Sequence, residues 1–155
     1  MFSRILIPTD GSATSTDTAL AGIRFAQKFQ ADVFGIFVAP AFQYPLYIQT
    51  MPPCYLSDEE YRASMQTAGD TYLNELRKAA AEAGLRFSGE VIFSDAVALA
   101  IIEAAQRYRC DLIFIGSHGR SGCQQLFLGS VTLKLLSACP LPVLVYRSAV
   151  PAQYS

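Results

Sequence analysis

The chain is poor in the side chains that metal chemistry needs. Its 155 residues include one histidine, His118, and four cysteines at 54, 110, 123 and 139, none of them in a Cys-x2-Cys pair. A zinc site gathers several such ligands, so none is expected. Charge is also sparse. Asp, Glu, Lys and Arg make up 16% of the residues, and 12 basic against 13 acidic side chains leave a net charge of −1. A nucleic-acid-binding surface needs a basic face, which this balance argues against. No apolar run reaches the roughly 18 residues of a membrane span. The start, Met1-Phe-Ser-Arg-Ile-Leu-Ile-Pro8, lacks the apolar region and cleavage site of a signal peptide, so a cytoplasmic location is expected. Reduced cysteines in that compartment act as small apolar residues. Cys123 stands apart because it lies among glycines, where an accessible thiol could serve redox chemistry.

What the chain has in quantity is apolar character, at 52% of its residues. That suits one compact domain with a real core, expected over residues 1–147, with a loose tail over 148–155. Short apolar runs that do not alternate with polar residues read as strands covered on both faces. They are Arg4–Pro8, which Pro8 is expected to stop, Asp32–Val38, Phe87–Phe93, Leu112–Ile115 and Leu141–Tyr146. Helical spacing lies between them. Ala19, Ile23 and Ala26 share a face in a helix ending near Phe29. A second helix opens on the capping box Ser57-Asp-Glu-Glu60, carries a stripe of Tyr61, Met65, Ala68, Tyr72, Leu76, Ala79 and Ala83, and stops at Gly84. A third spans about Val97 to Tyr108 with Ala98, Ile101, Ile102 and Ala105 inward, and a fourth runs from Ser130 through Leu136. The exception is Ala39–Leu56, where Pro40, Pro45, Pro52 and Pro53 interleave with Phe42, Tyr44, Tyr47 and Tyr55. Prolines forbid a regular element there. The stretch either packs on the protein's own surface, covers a ligand, or meets another subunit.

Repeated βα units imply an α/β fold with a parallel sheet and helices on both faces. Ligands of such sheets bind beyond the carboxyl ends of the strands, where the strand order reverses. One stretch there stands out: Asp111-Leu-Ile-Phe-Ile-Gly-Ser-His-Gly-Arg-Ser-Gly-Cys-Gln-Gln-Leu-Phe-Leu-Gly-Ser-Val131. A buried strand breaks at Gly116, Gly119 and Gly122, and a helix restarts at Gly129-Ser130. Glycines let the backbone approach a ligand closely, Ser130 can cap the helix, and a helix start attracts anions. The stretch is therefore either a phosphate site or a plain strand–helix junction. It is not a Walker A loop, because no Gly-Lys-Ser/Thr follows, and its glycine spacing is not that of the dinucleotide fingerprint.

Gly116-x2-Gly119-x9-Gly129-Ser130 resembles the nucleotide-binding pattern of the universal stress protein family. The likeness extends to the opening Ile5-Leu-Ile-Pro-Thr-Asp-Gly-Ser12 and to Cys139-Pro-Leu-Pro-Val-Leu-Val145. The resemblance implies a single-domain, Rossmann-like, three-layer fold with a five-stranded parallel sheet in the order 3-2-1-4-5. It also implies ATP as ligand, with or without magnesium. Pro8, Thr9 and Asp10 would meet the ribose and adenine side, and main-chain groups of Val38 the adenine, with Ile115 beside them. Gly116, His118 and Gly119 would line the phosphates, held from the helix start by Gly129, Ser130 and Val131. The family often has Gly-x-Pro between the third strand and its helix, whereas this chain has Asp95 and Val97. Members commonly pair as homodimers through the last strand, here Val143, Leu144 and Val145. The same edge could instead be shielded by the tail.

The chemistry of these residues leaves choices open. Asp10 can accept from ribose hydroxyls, hold magnesium, or cap the first helix. His118 is the one side chain that ordinarily titrates near neutrality, and as a loop residue it suits contact with phosphate or solvent better than a base role. Arg120 can pair with phosphate or stay solvated. Asp111, at the opposite end of the sheet, is assigned no chemistry. A phosphate cradle is legible, but no partner to complete an acid–base pair with His118 is. The expectation is a stress-response or regulatory module acting through nucleotide binding. A slow ATPase or phosphate-transferring enzyme, and a dimeric module that binds no nucleotide, are the alternatives.

Overall fold

The computed structural model describes residues 1–42, 57–118 and 128–148. The expectations for Gly119, Arg120, Gly122 and Cys123, for 43–56 of the proline-rich stretch, and for the tail past 148 lie outside the described residues. The apolar runs form one sheet of β1 (Arg4–Thr9), β2 (Asp32–Ala39), β3 (Phe87–Phe93), β4 (Leu112–Gly116) and β5 (Val143–Tyr146), in the order β3-β2-β1-β4-β5. Every neighbouring pair is parallel. Helices α1 (Ala13–Phe29), α2 (Asp58–Glu82), α3 (Val97–Arg107) and α4 (Ser130–Ala138) alternate with the strands.

Side chains point to opposite faces at successive strand positions, and the central strands are apolar on both. Two cores result. Ile5, Ile7, Val33 and Phe114 pack on Ala19, Ile23 and Ala26 of α1 and on Leu76 and Ala80 of α2. Leu6, Phe34, Ile36, Ile113 and Ile115 face the other way, onto Ile101 and Ala105 of α3 and Leu135 of α4. Each such isoleucine, leucine or phenylalanine contributes about 1.5–3 kcal/mol by leaving water, so the sheet is held from both sides in three layers.

The helix punctuation follows the local chemistry. The Ser57 amide donates to Glu60 Oε2 at 2.8 Å and the Glu60 amide to Ser57 Oγ at 3.1 Å, which completes the capping box. Gly84, at φ +74°, ends α2. The buried face of α2 is Gly69, Leu73, Leu76 and Ala80, offset from the expected stripe. Tyr61, Met65, Ala68 and Tyr72 are only half-buried, because α2 covers β2 and β3 at one side of the sheet and its aromatics sit at the rim. β5 begins at Val143 rather than Leu141, and α3 ends at Arg107, with Tyr108 as its C-cap.

Pro8 does not stop β1, which continues to Thr9. The Ser3 carbonyl accepts from Asp32 on the β2 side, and the Arg4 carbonyl accepts from Asp111 on the β4 side. By alternation Leu6 and Pro8 face β4. β1 pairs with β2 as far as Thr9↔Phe37, but with β4 only through Ile5↔Leu112 and Leu6↔Ile113. The N–H that proline lacks therefore falls where the ladder has already parted, and no bond is lost.

At the other end of that strand pair Asp111 acts as a staple. It accepts from the Ser3 amide at 2.7 Å, the Ser3 hydroxyl at 2.6 Å and the Arg4 amide at 3.2 Å. Partial burial opposes its charge, but the bonds from Ser3 and Arg4 outweigh that and hold the carboxyl below the ordinary aspartate value. A depressed folded-state value gives stability that is present above the unfolded value and lost as pH falls through the folded one. Asp111→Ala should lower stability at neutral pH by about 1–2 kcal/mol, read from the midpoint of urea unfolding. The gap to the wild type should shrink in acid, and equal midpoints at neutral pH would contradict the staple.

Candidate functional site

The turn after β1 is built by its own polar side chains. Ser12 is the N-cap of α1 and accepts from the Ser15 amide at 3.2 Å, so the helix is capped by Ser12 and not by Asp10. Asp10 accepts instead from the Ser12 amide through Oδ1 at 2.9 Å. The Thr9 and Ser15 hydroxyls lie 3.1 Å apart, and Thr9 Oγ1 accepts from the Gly11 amide at 3.2 Å. Gly11 has φ +77°, and a Cβ there would fall 2.2 Å from the ring of Tyr72 on α2. Backbone conformation and close packing both call for glycine, and both fix the direction in which Asp10 leaves β1.

The far end of β4 is tied to the start of α4 by two bonds. The Gly129 amide donates to the Ser117 carbonyl at 2.7 Å, and Thr132 Oγ1 donates to the Gly116 carbonyl at 2.9 Å. Thr132 is buried, as is Thr18, whose Oγ1 would lie 2.8 Å from a Cβ on Gly116. The N-cap of α4 is Gly129, and Ser130 is the first helical residue. The expected Ser130 cap is therefore not formed. The Gly129 cap has no side-chain bond, so no cap hydroxyl covers the N–H groups of the first turn. His118 Nδ1 is 3.1 Å from Ser117 Oγ, and its Nε2 is buried with no hydrogen-bond partner among the described residues.

These two constructions face one cavity of about 290 Å³ beyond the carboxyl ends of β1 and β4. Pro8, Thr9, Asp10, Val38, Ile115, Gly116, His118, Gly129, Ser130 and Val131 all line it. The structure thus brings together every described residue that the resemblance assigned to the nucleotide, while Gly119 lies outside the described residues. Sequence reasoning missed Ser15, Thr18, Ile36, Val97, Ile101 and Thr132, the other described residues of the lining. The one available signal was the i, i+4 spacing of Val97 and Ile101 at the start of the helix after β3. Its lining is polar at Thr9, Asp10, Ser15, Ser130 and the start of α4, and apolar at Ile36, Val38, Val97, Ile101 and Ile115. An amphipathic ligand with an anionic end matches that division.

Other chemistry has less support. No group of three or more His, Cys, Asp or Glu side chains converges among the described residues. Cys110 is buried, and burial pushes its thiol up to about 12 although Arg4 pulls it the other way, so it stays protonated and inert. Asp95 lies outside the cavity and accepts from the Ala41 amide. No helix among the described residues is long and apolar enough to cross a membrane.

A family model described as "Universal stress protein family" matches residues 1–147. Universal stress protein MJ0531 of Methanocaldococcus jannaschii is 30% identical over 147 residues, covering 95% of this chain and 83% of that protein. Universal stress protein YxiE of Bacillus subtilis is 28% identical over 152 residues, covering 95% and 100%. A Burkholderia pseudomallei structure from the same family superposes with a TM-score of 0.76 at 22% identity, over 95% of this chain and 97% of that one. Two more distant structures share the fold and hold adenine nucleotides. One is a universal stress protein in complex with cAMP, with a TM-score of 0.68 at 18% identity over 96% and 98% of the two chains. The other is an Arabidopsis thaliana family protein with AMP bound, with a TM-score of 0.64 at 14% identity over 97% of each.

Gly11→Ala tests the β1–α1 turn. The left-handed backbone and the Tyr72 ring together should make it cost about 1–3 kcal/mol, measured by chemical denaturation. Tyr72→Ala in the same chain should recover part of that loss by vacating the space. A neutral Gly11→Ala would show that the turn is not held as described.

Proposed function

Because this chain belongs to the universal stress protein family, we propose that its cavity binds an adenine nucleotide, ATP in the first instance. The protein then serves as a stress-response or regulatory module through that binding rather than through efficient turnover. The observation that carries the reading is the meeting, in one cavity, of an uncapped helix start, a glycine strand end and an apolar slot. Ile36, Val38, Val97, Ile101 and Ile115 offer apolar surface to the base. Thr9 and Asp10, with Pro8 beside them, suit the ribose hydroxyls. Gly116, His118, Gly129, Ser130 and Val131 suit the phosphates, with Gly119 from the adjoining segment. Helix N–H groups without a cap attract anions without any lysine. Asp10 is the one carboxylate among the described lining residues, and it can share a magnesium ion with phosphate oxygens, since that ion commonly takes one or two carboxylates beside phosphates. Adenine nucleotides in related structures of this fold support the ligand class.

Gly129 makes the reading testable. Its φ of −61° and ψ of 153° suit any residue, and a Cβ would meet its nearest neighbour, the Ser117 carbonyl oxygen, at an ordinary 3.4 Å. The fold itself therefore leaves room for a Cβ at this position. Gly129→Val should fold like the wild type by circular dichroism and thermal melting. It should also weaken ATP binding by roughly tenfold or more in titration calorimetry, because the branched side chain fills phosphate space. Unchanged affinity would overturn the assignment. Timed phosphate release by the wild type and by His118→Ala separates a binding module from a slow ATPase.

We also propose a homodimer through β5. This strand lies at the sheet edge. Carbonyls of Pro142 and Tyr146 accept from Ile113 and Ser117 on the β4 side, so by alternation Leu144 faces β4 while Val143 and Val145 turn their backbone groups to the open edge. Val145→Pro removes one edge donor and leaves the β4 ladder intact. It should shift the mass in solution, by analytical ultracentrifugation, from dimer toward monomer. A monomeric wild type would sink the dimer.

A further inference from the structure

We infer that Asp95 is a positioning residue for the apolar lining of the cavity, and that it tunes which base the site accepts. The inference deepens the nucleotide reading and rests on it. Asp95 stands immediately before Ala96, the N-cap of α3. An aspartate beside a helix start ordinarily turns its carboxylate to the first-turn amides. Here α3 has no side-chain cap, and Asp95 Oδ1 reaches across to accept from the Ala41 amide at 3.0 Å.

That bond is one of three hydrogen bonds that hold Ala39, Pro40 and Ala41 among the described residues. The Ser94 amide donates to the Ala39 carbonyl at 2.9 Å, and the Tyr61 hydroxyl donates to the Pro40 carbonyl at 2.9 Å. Two of the three ties come from adjacent residues of the β3–α3 turn. The turn itself is closed by the Ala96 amide on Ser94 Oγ at 3.1 Å. The segments joined in this way carry two parts of the cavity wall. Val38 lies directly before the tied stretch, and Val97 begins α3 two residues after Asp95. The position of Val38 matters because it has left the β1 ladder, which ends at Thr9↔Phe37. By alternation its peptide groups face β1, toward the cavity, since Ala39 faces β3. Asp95 therefore adds a second tie, beyond the Ser94–Ala39 bond, between two segments that would touch a base, and is not itself part of the cavity lining.

The test compares ATP and GTP binding to the wild type, Asp95→Ala and Asp95→Asn by titration calorimetry, with thermal melting as a check on folding. Asp95→Ala should stay folded with a slightly lower melting temperature, bind ATP about three- to tenfold more weakly because the walls are no longer held in the bound spacing, and discriminate less between ATP and GTP. Asp95→Asn keeps an acceptor for the Ala41 amide and should restore both affinity and discrimination. Equal losses for ATP and GTP would mean general loosening and would overturn the inference, as would wild-type behaviour of Asp95→Ala. A wild type that binds neither nucleotide would overturn the nucleotide reading along with it. ATP binding that is indifferent to Asp95 would overturn this inference alone.

Discussion

The parting of β1 from β4 is the constraint on which the site depends. The two strands are joined at Ile5↔Leu112 and Leu6↔Ile113 and then diverge, because the chain leaves β1 toward one face of the sheet and β4 toward the other. Below that point the ladder satisfies the backbone groups. Above it, space opens between the Thr9-Asp10 turn and the start of α4, as expected where strand order reverses. Asp111 draws the amino ends of the pair together, so the strands separate from a firm base.

Each wall of the opening is held by a different economy of polar groups. On the β1 side, Thr9, Asp10, Ser12 and Ser15 satisfy one another and the turn amides, and Tyr72 closes over Gly11. On the β4 side, Thr132 and the Gly129 amide bind the strand's carbonyls, while the helix start has a glycine cap that cannot bond with a side chain. One wall is thus internally complete, and the other presents donors. An anionic group is thereby favoured at the helix start, and an uncharged ring system against the apolar residues of the lining.

The rest of the fold serves this geometry by rigidity. Two cores, one on each face, clamp the central strands, and close-packed interiors resist displacement. The segments that define the cavity are short extensions of those clamped strands. The Asp95–Ala41 bond adds a side-chain tie where β2 leaves that clamp.

Much was legible in the sequence because it rests on local physics. Non-alternating apolar runs marked buried strands, Ser57 and Glu60 marked the start of α2, Gly84 marked its end, and the glycines at 116 and 129 marked a strand–helix junction. Other features depend on which elements become neighbours. Pro8 reads locally as a stop, yet it is tolerated because its missing donor faces the gap between β1 and β4. Ser130 reads as a cap, yet the helix begins one residue earlier. The stripe of α2 is offset because the helix lies at the sheet's side. Thr18, Ile36 and Thr132 carry no motif and join the site only through packing. Periodicity and turn chemistry act over a few residues and are written in the chain itself, whereas the choice of Gly11 beneath Tyr72, or of Asp95 beside Ala41, is settled only when the helices close on the sheet and distant backbones come within bonding distance.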